Sequence, residues 1–150
     1  MSYKIYFKHN LDVKINSSKR EEISFLKITK NNFKENSELI QKSIDTFHSQ
    51  IDWNDMWDLD ECEVRLSQDE ILYLLLDSGI PNGHVWYDSS YLYNAFVSEN
   101  RTSGDSLWFI QETMWDMKEI FNLRRISLYV DDWNIRAIKF WKKLGFVELT

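Results

Sequence analysis

Cysteine is nearly missing from this sequence. Cys62 stands alone, so no internal disulfide can form. One proline and four glycines leave no linker-like tract, and no repeat or low-complexity segment breaks the chain, so one unit over residues 1–150 is expected. No apolar run approaches the roughly 20 residues that a bilayer-spanning helix needs. The longest is Ile71 to Leu76, and the start of the chain carries neither a long apolar run nor a small-residue cleavage site, so a cytoplasmic protein without a membrane partner is expected. An excess of base is missing too: 18 Lys and Arg stand against 24 Asp and Glu, a net charge of −6. Binding a phosphate backbone needs clustered cations, so a nucleic-acid partner is disfavoured and a small cationic partner suits the balance better. What is plentiful is core material, 43% hydrophobic and 15% aromatic residues.

Tyr3, Ile5 and Phe7 alternate with Lys4, Tyr6 and Lys8, the period of a half-buried strand that Val13 and Ile15 are candidates to continue. A charged turn over Ser17 to Glu22 and a strand over Ile23 to Ile28 follow. From Asn32 onward, Leu39, Ile40, Ile44 and Phe47 fall at helical spacing, and Trp57 to Leu66 reads as a shorter helix. Ile71 to Leu76, bounded by Asp77-Ser78-Gly79, reads as a buried strand and turn, with Pro81-Asn82-Gly83 as a second turn signal. His84 to Tyr87 and Tyr91 to Val97, separated by Asp88-Ser89-Ser90, have the pattern of a hairpin. Ser106 to Phe121 is the longest helix, Ile126, Leu128 and Val130 alternate on a strand, and Asn134 to Leu144 is the last helix. The order predicts an α/β domain with a mixed, mostly antiparallel sheet flanked by helices.

Two stretches carry more than secondary structure. In Arg101-Thr102-Ser103-Gly104-Asp105-Ser106, Gly104 admits a backbone conformation closed to other residues, and small neighbours let N–H groups approach an anion at a helix N-terminus. Such a turn alone is also an ordinary helix cap. The second stretch, Asn134 to Phe146 after Ser127-Leu128-Tyr129-Val130, reads as strand, loop, Asn-capped helix, glycine stop and aromatic restart. In this order and spacing the pair resembles the acyl-CoA turn and the last conserved motif of the GNAT N-acetyltransferase superfamily. The family turn runs Gln or Arg, two residues, Gly, one residue, Gly or Ala. This chain offers Arg101, Gly104 and Ser106, with Val97 and Glu99 at the matching offsets. Asp105 departs from the pattern, because a carboxylate beside a diphosphate repels unless it faces solvent or caps the helix.

The resemblance implies a GNAT fold, acetyl-CoA as co-substrate and direct acetyl transfer to the primary amine of a small cationic molecule or protein, without a metal or a covalent enzyme intermediate. It implies that Arg101, Thr102, Ser103, Gly104, Asp105 and Ser106 hold the pyrophosphate. Ala95, Phe96 and Val97 would offer a split-strand edge with an oxyanion donor, and Asn134, Ala137 and Phe140 would flank the pantetheine arm. Trp141 stands where the family usually has a Tyr that protonates the departing thiolate; an indole can orient a thiolate but is no proton donor near neutral pH. Where well-known members place a catalytic Glu, this chain has an aromatic, about Tyr91. Asp88 and His84 are the nearest titratable alternatives, each also readable as a plain turn or strand-surface residue.

The segment Asp52 to Glu61 combines acids with indoles, and Trp53, Asp55 and Trp57 are the candidates to hold a cationic acceptor through charge and cation–π attraction of roughly 0.5 to 2 kcal/mol. A solvated acidic face with packing tryptophans gives the same pattern. The rival reading is a non-catalytic GNAT-fold protein that binds acyl-CoA or a partner protein, and a homodimer is admitted. Family members usually continue past the Gly-Phe with two strands, whereas this chain has only Phe146 to Leu149 and Thr150 there. Tyr3 to Lys8 is therefore expected to replace the usual last strand beside Phe146 to Leu149, as in a circular permutation, with a flexible or edge-pairing N-terminal strand as the alternative.

Overall fold

The computed structural model describes residues 3–51, 57–98 and 104–149. The alternating residues of the N-terminus form β1 (Lys4–His9), with Phe7 buried and Lys4 exposed, and β2 covers Ile23–Ile28. A 3-10 turn (Lys34–Asn36) leads into α1 (Ser37–Gln50), which buries Ile40, Ile44 and Phe47 as its spacing predicts. Helix α2 (Leu59–Ser67) is capped by Asp58, whose carboxylate accepts the Glu61 N–H at 2.8 Å. Strands β3 (Ile71–Asp77), β4 (Ile80–Asp88) and β5 (Tyr91–Val97) form a meander. Helix α3 (Asp105–Phe121), β6 (Ile126–Asp131), α4 (Ile135–Leu144) and β7 (Val147–Glu148) complete the order.

The seven strands lie in one sheet, β2-β3-β4-β5-β6-β1-β7. All pairs are antiparallel except β5 with β6. Strand alternation sends side chains to two cores. On one face Phe7, Tyr73, Val85, Leu128 and Val130 pack under α3 and α4; on the other Leu72, Leu74, Trp86 and Phe96 pack under α1 and α2. Cys62 is buried in the second core, and burial pushes its thiol up to about 12, so it stays protonated. Among the described residues, no helix is long and apolar enough to cross a membrane.

Two local expectations change. Pro81-Asn82-Gly83 is no turn but lies inside β4, because Ser78 (φ 52°) and Gly79 (φ 80°) alone close the hairpin; the proline sits where the β3–β4 register shifts, the kind of irregularity at which a strand tolerates proline. Val13 and Ile15 do not extend β1, since Leu11 takes a left-handed conformation (φ 55°) and ends it. The expected strand replacement is what the sheet contains: β1 lies between β6 and β7, with Phe7 opposite Glu148 and Lys8 opposite Val147.

That placement requires residues 10–22 to cross from β1 to β2, five strand positions or about 24 Å away. Thirteen extended residues reach roughly 43 Å, so the strap is long enough with slack. Side chains of α3 fix its path. The Gln111 amide is buried and bonds the Ile15 backbone twice, accepting its N–H at 3.0 Å and donating to its carbonyl at 2.8 Å, while Lys118 donates to the Leu11 carbonyl at 2.6 Å.

Candidate functional site

Strands β5 and β6 run parallel and meet at one register position, Tyr91 opposite Ser127, where the Ser127 N–H donates to the Ser90 carbonyl at 2.9 Å. Beyond it they diverge. The cause is a bulge in β5: the pairing with β4 slips between His84 and Trp86, and Asn94 adopts φ 50°, a conformation that Asn tolerates better than most residues. Gly83 on β4 permits this close path, since a Cβ there would lie 2.6 Å from the Phe96 carbonyl oxygen. The β5 edge turned away from β4 is thereby left open along Ala95, Phe96 and Val97.

A cavity of about 380 Å³ occupies the opening. Ala95, Phe96 and Val97 line it from β5, Ser106 from the start of α3, and Asn134, Ala137, Phe140 and Trp141 from α4. Helix α3 begins behind Gly104 (φ 97°), and its first N–H groups have no helical acceptor, which favours an anion there. The Asn134 side chain accepts the Ala137 N–H at 3.2 Å, so it caps α4 and faces the cavity at once. Gln50, Ile51 and Arg136 also line this space. No sequence motif marks them; Gln50 and Ile51 arrive only because α1 ends over β5, where Gln50 donates to the Ser98 hydroxyl at 2.9 Å.

A second cavity of about 520 Å³ shares Ala95, Asn134, Ala137 and Trp141 with the first and lies against β5 and β6 from Tyr91 to Ala95 and from Leu128 to Asp131. The two spaces thus adjoin at the divergence of the strands. Seven-stranded, mostly antiparallel, split by a bulge at β5 and flanked by a glycine-led and an Asn-capped helix, this arrangement has known counterparts. The fold is that of the GCN5-related N-acetyltransferases. A structure of a Drosophila protein superposes with a TM-score of 0.72 at 8% identity over 97% of this chain and 47% of its own. A GCN5-related N-acetyltransferase from Sphaerobacter thermophilus gives 0.67 at 13% identity over 97% and 48%. A predicted acetyltransferase with acetyl-CoA from Clostridium acetobutylicum gives 0.58 at 11% identity over 85% and 91%. This chain spans about half the length of the first two. No protein-family model matches it, and no curated protein matches it in sequence.

Within the GNAT fold several expected residues take other places. Asp105 is buried at the start of α3, where its carboxylate neither reaches solvent nor caps the helix. It accepts from Arg20, Nη2 at 2.9 Å and Nε at 3.1 Å, and Arg20 also holds Asp77 at 2.8 Å. The bonds to Asp77 and Asp105 raise the guanidinium further above its ordinary value. Glu22 shares the same guanidinium at 3.7 Å, so the strap holds the Asp105 carboxylate rather than cancelling its charge, and Asp105 does not line the cavity. Trp57 is a core residue, buried against Trp86 at 5.0 Å, and its face already carries a cation, the Arg65 guanidinium at 5.4 Å. An acceptor therefore cannot stack on it. Trp53 and Asp55 lie outside the described residues, as do Glu99, Arg101, Thr102 and Ser103.

The catalytic candidates also separate. Asp88 is exposed at the β4–β5 hairpin and lines neither cavity, so geometry removes it. His84 is fully buried among Phe47, Trp57 and Phe96 rather than on the strand surface; burial pushes it down to about 4. Tyr91 does line the larger cavity, but burial, then Tyr129 and Tyr6, push its phenol up to about 12, so near neutral pH it donates a hydrogen bond and is no base. Among the described residues Asp131 is the one acid lining that cavity, and no group of His, Cys, Asp and Glu is placed to hold a metal ion.

Proposed function

We propose that the chain is an acetyl-CoA-dependent N-acetyltransferase that moves an acetyl group directly to a primary amine of a small molecule or protein. The observation that carries this reading is the open β5 edge between the N-terminus of α3 and the Asn134 cap of α4, with cavities on both sides of it. An amide-bearing pantetheine arm is a strand-like partner for such an edge. The pyrophosphate belongs at the start of α3, where Asp105 is held by Arg20 and does not line the cavity. Acetyl-CoA supplies an activated thioester. An N–H of the bulged β5 backbone is the oxyanion donor, and Trp141, lining both cavities, orients the sulfur. Trp141 and the exposed Asp88 also favour a second reading, a GNAT-fold acyl-CoA binder without turnover.

A native-state ligand at 100 times its Kd adds about 2.7 kcal/mol, so acetyl-CoA is expected to raise Tm by about 5 to 10 °C. Free thiol should then appear when amines are added, and Trp141→Tyr, which restores a phenol, should raise kcat by about tenfold or more. A thermal shift without thiol release on any amine selects the second reading; no shift removes both.

A further inference from the structure

Lys4 on β1 and Asp131 on β6 stand directly opposite one another in register. Their neighbours Ile5, Phe7, Leu128 and Val130 point into the core under α3 and α4, which leaves both charges on the opposite, open face. Opposed side chains of opposite charge ordinarily pair. Here Lys4 Nζ instead lies 4.1 Å over the Tyr129 ring, and among the described residues neither Lys4 nor Asp131 has an ion-pair partner. Both line the larger cavity, together with Tyr91, Tyr129 and Trp133. Tyr91 and Tyr129 meet at 5.9 Å with planes 37° apart, and Trp133 is 67% exposed at the rim. The other cation at this wall, Arg65, is committed: it donates to Glu61 at 2.9 Å and to the Tyr93 hydroxyl at 3.0 Å.

An unpaired anion and an unpaired cation side by side, next to aromatic faces, match one ligand chemistry. We infer that the acceptor is an aromatic α-amino acid, its ammonium on Asp131, its carboxylate on Lys4 and its ring against Tyr91 and Trp133. The inference rests on the acetyl-transfer reading and narrows its acceptor. It also disfavours a polyamine, which Lys4 repels. In the step, one proton passes from the ammonium held on Asp131 to water. The free nitrogen bonds to the thioester carbon, the C–S bond breaks with its electron pair going to sulfur, and the second nitrogen proton leaves through water, which also protonates the thiolate. Ammonium and thioester become amide and thiol, with one proton released.

The test measures thiol release with L-phenylalanine, phenethylamine, L-alanine and spermidine. The wild type should use phenylalanine with a kcat/KM about tenfold or more above phenethylamine, which lacks the carboxylate, and above alanine, which lacks the ring. Lys4→Gln, at an exposed strand position, should raise KM for phenylalanine about tenfold and for phenethylamine far less, and Lys4→Arg should keep the wild-type preference. Equal use of phenylalanine and phenethylamine, an equal loss for both in Lys4→Gln, or a preference for spermidine overturns the inference and leaves acetyl transfer standing. Absence of both an acetyl-CoA thermal shift and thiol release overturns both.

Discussion

At the scale of the residue, His84 shows how burial decides chemistry. Aromatic rings enclose it, and burial outweighs the opposing pull of the neighbouring Asn94 side chain. The ring is neutral in the folded protein down to about pH 4, whereas in the unfolded chain it gains a proton below about 6.5. Between these values the unfolded state binds more protons, so stability rises with pH there; it is complete above 6.5 and falls as the pH drops toward 4. The difference corresponds to about 3 kcal/mol. Urea denaturation should therefore show a loss of about that size between pH 7 and 4, and His84→Phe should flatten it. His9, also lowered by burial, adds a smaller loss of the same sign. A variant with an undiminished acid limb would assign the loss elsewhere. The same enclosure explains why sequence alone misplaced His84: alternation set it on a strand but could not say which face, nor that α1 and α2 cover that face.

At the scale of the element, the splay of β5 from β6 makes the site, and two residues make the splay. Asn94 supplies the bulge, and Gly83 supplies the room for it on the neighbouring strand. Gly83→Ala would press a methyl against the Phe96 carbonyl and Val97 Cα, backbone atoms that cannot rotate away. The expected cost is about 1 to 3 kcal/mol by urea titration. The β5 edge should shift with it, so acetyl-CoA binding by calorimetry should weaken beyond the stability loss; unchanged affinity would separate the bulge from cofactor binding. Helices and strands were largely legible because period and caps are local: Asp58, Gly104 and Asn134 begin three helices as their residue types dictate. The bulge was not, because Gly83 follows Pro81-Asn82 and imitates a turn. Its role depends on a strand eleven or more residues away. The Asp105 clamp was hidden likewise, since Arg20 is distant in sequence and reaches α3 only through the strap.

At the scale of the whole molecule, the sheet is completed by the beginning of the chain. The motif from Asn134 to Phe146 is followed by the short β7, and the alternation in Tyr3 to Lys8 marks the strand that pairs beside it. Both signals were in the sequence, and the pairing of β1 with β6 and β7 joins them. The strap that makes this connection does two further things: Arg20 holds the Asp105 carboxylate at the start of α3, and the Ser18 carbonyl passes within 3.3 Å of where a Cβ on Gly104 would stand. If β1 is a last strand displaced to the front, joining the ends and opening the strap must give a chain that folds. Leu149 N–H already donates to the Tyr6 carbonyl at 2.8 Å, so direct ligation closes a short hairpin between antiparallel partners. Opening between Ser17 and Ser18 keeps Ile15 on its Gln111 bonds and Arg20 on Asp105. What is lost is the tether, and what is gained is a tighter loop. Loop-closure entropy varies slowly with length, so the permutant should lie within about 2 kcal/mol of the parent by urea denaturation. A second permutant opened between Phe7 and Lys8 should fail to fold, because it splits the strand that carries the buried Phe7. If the permutant opened in the strap fails to fold, the unbroken strap is an obligatory part of the core; if the one split at Phe7 folds as well, the sheet does not need β1 as one intact strand.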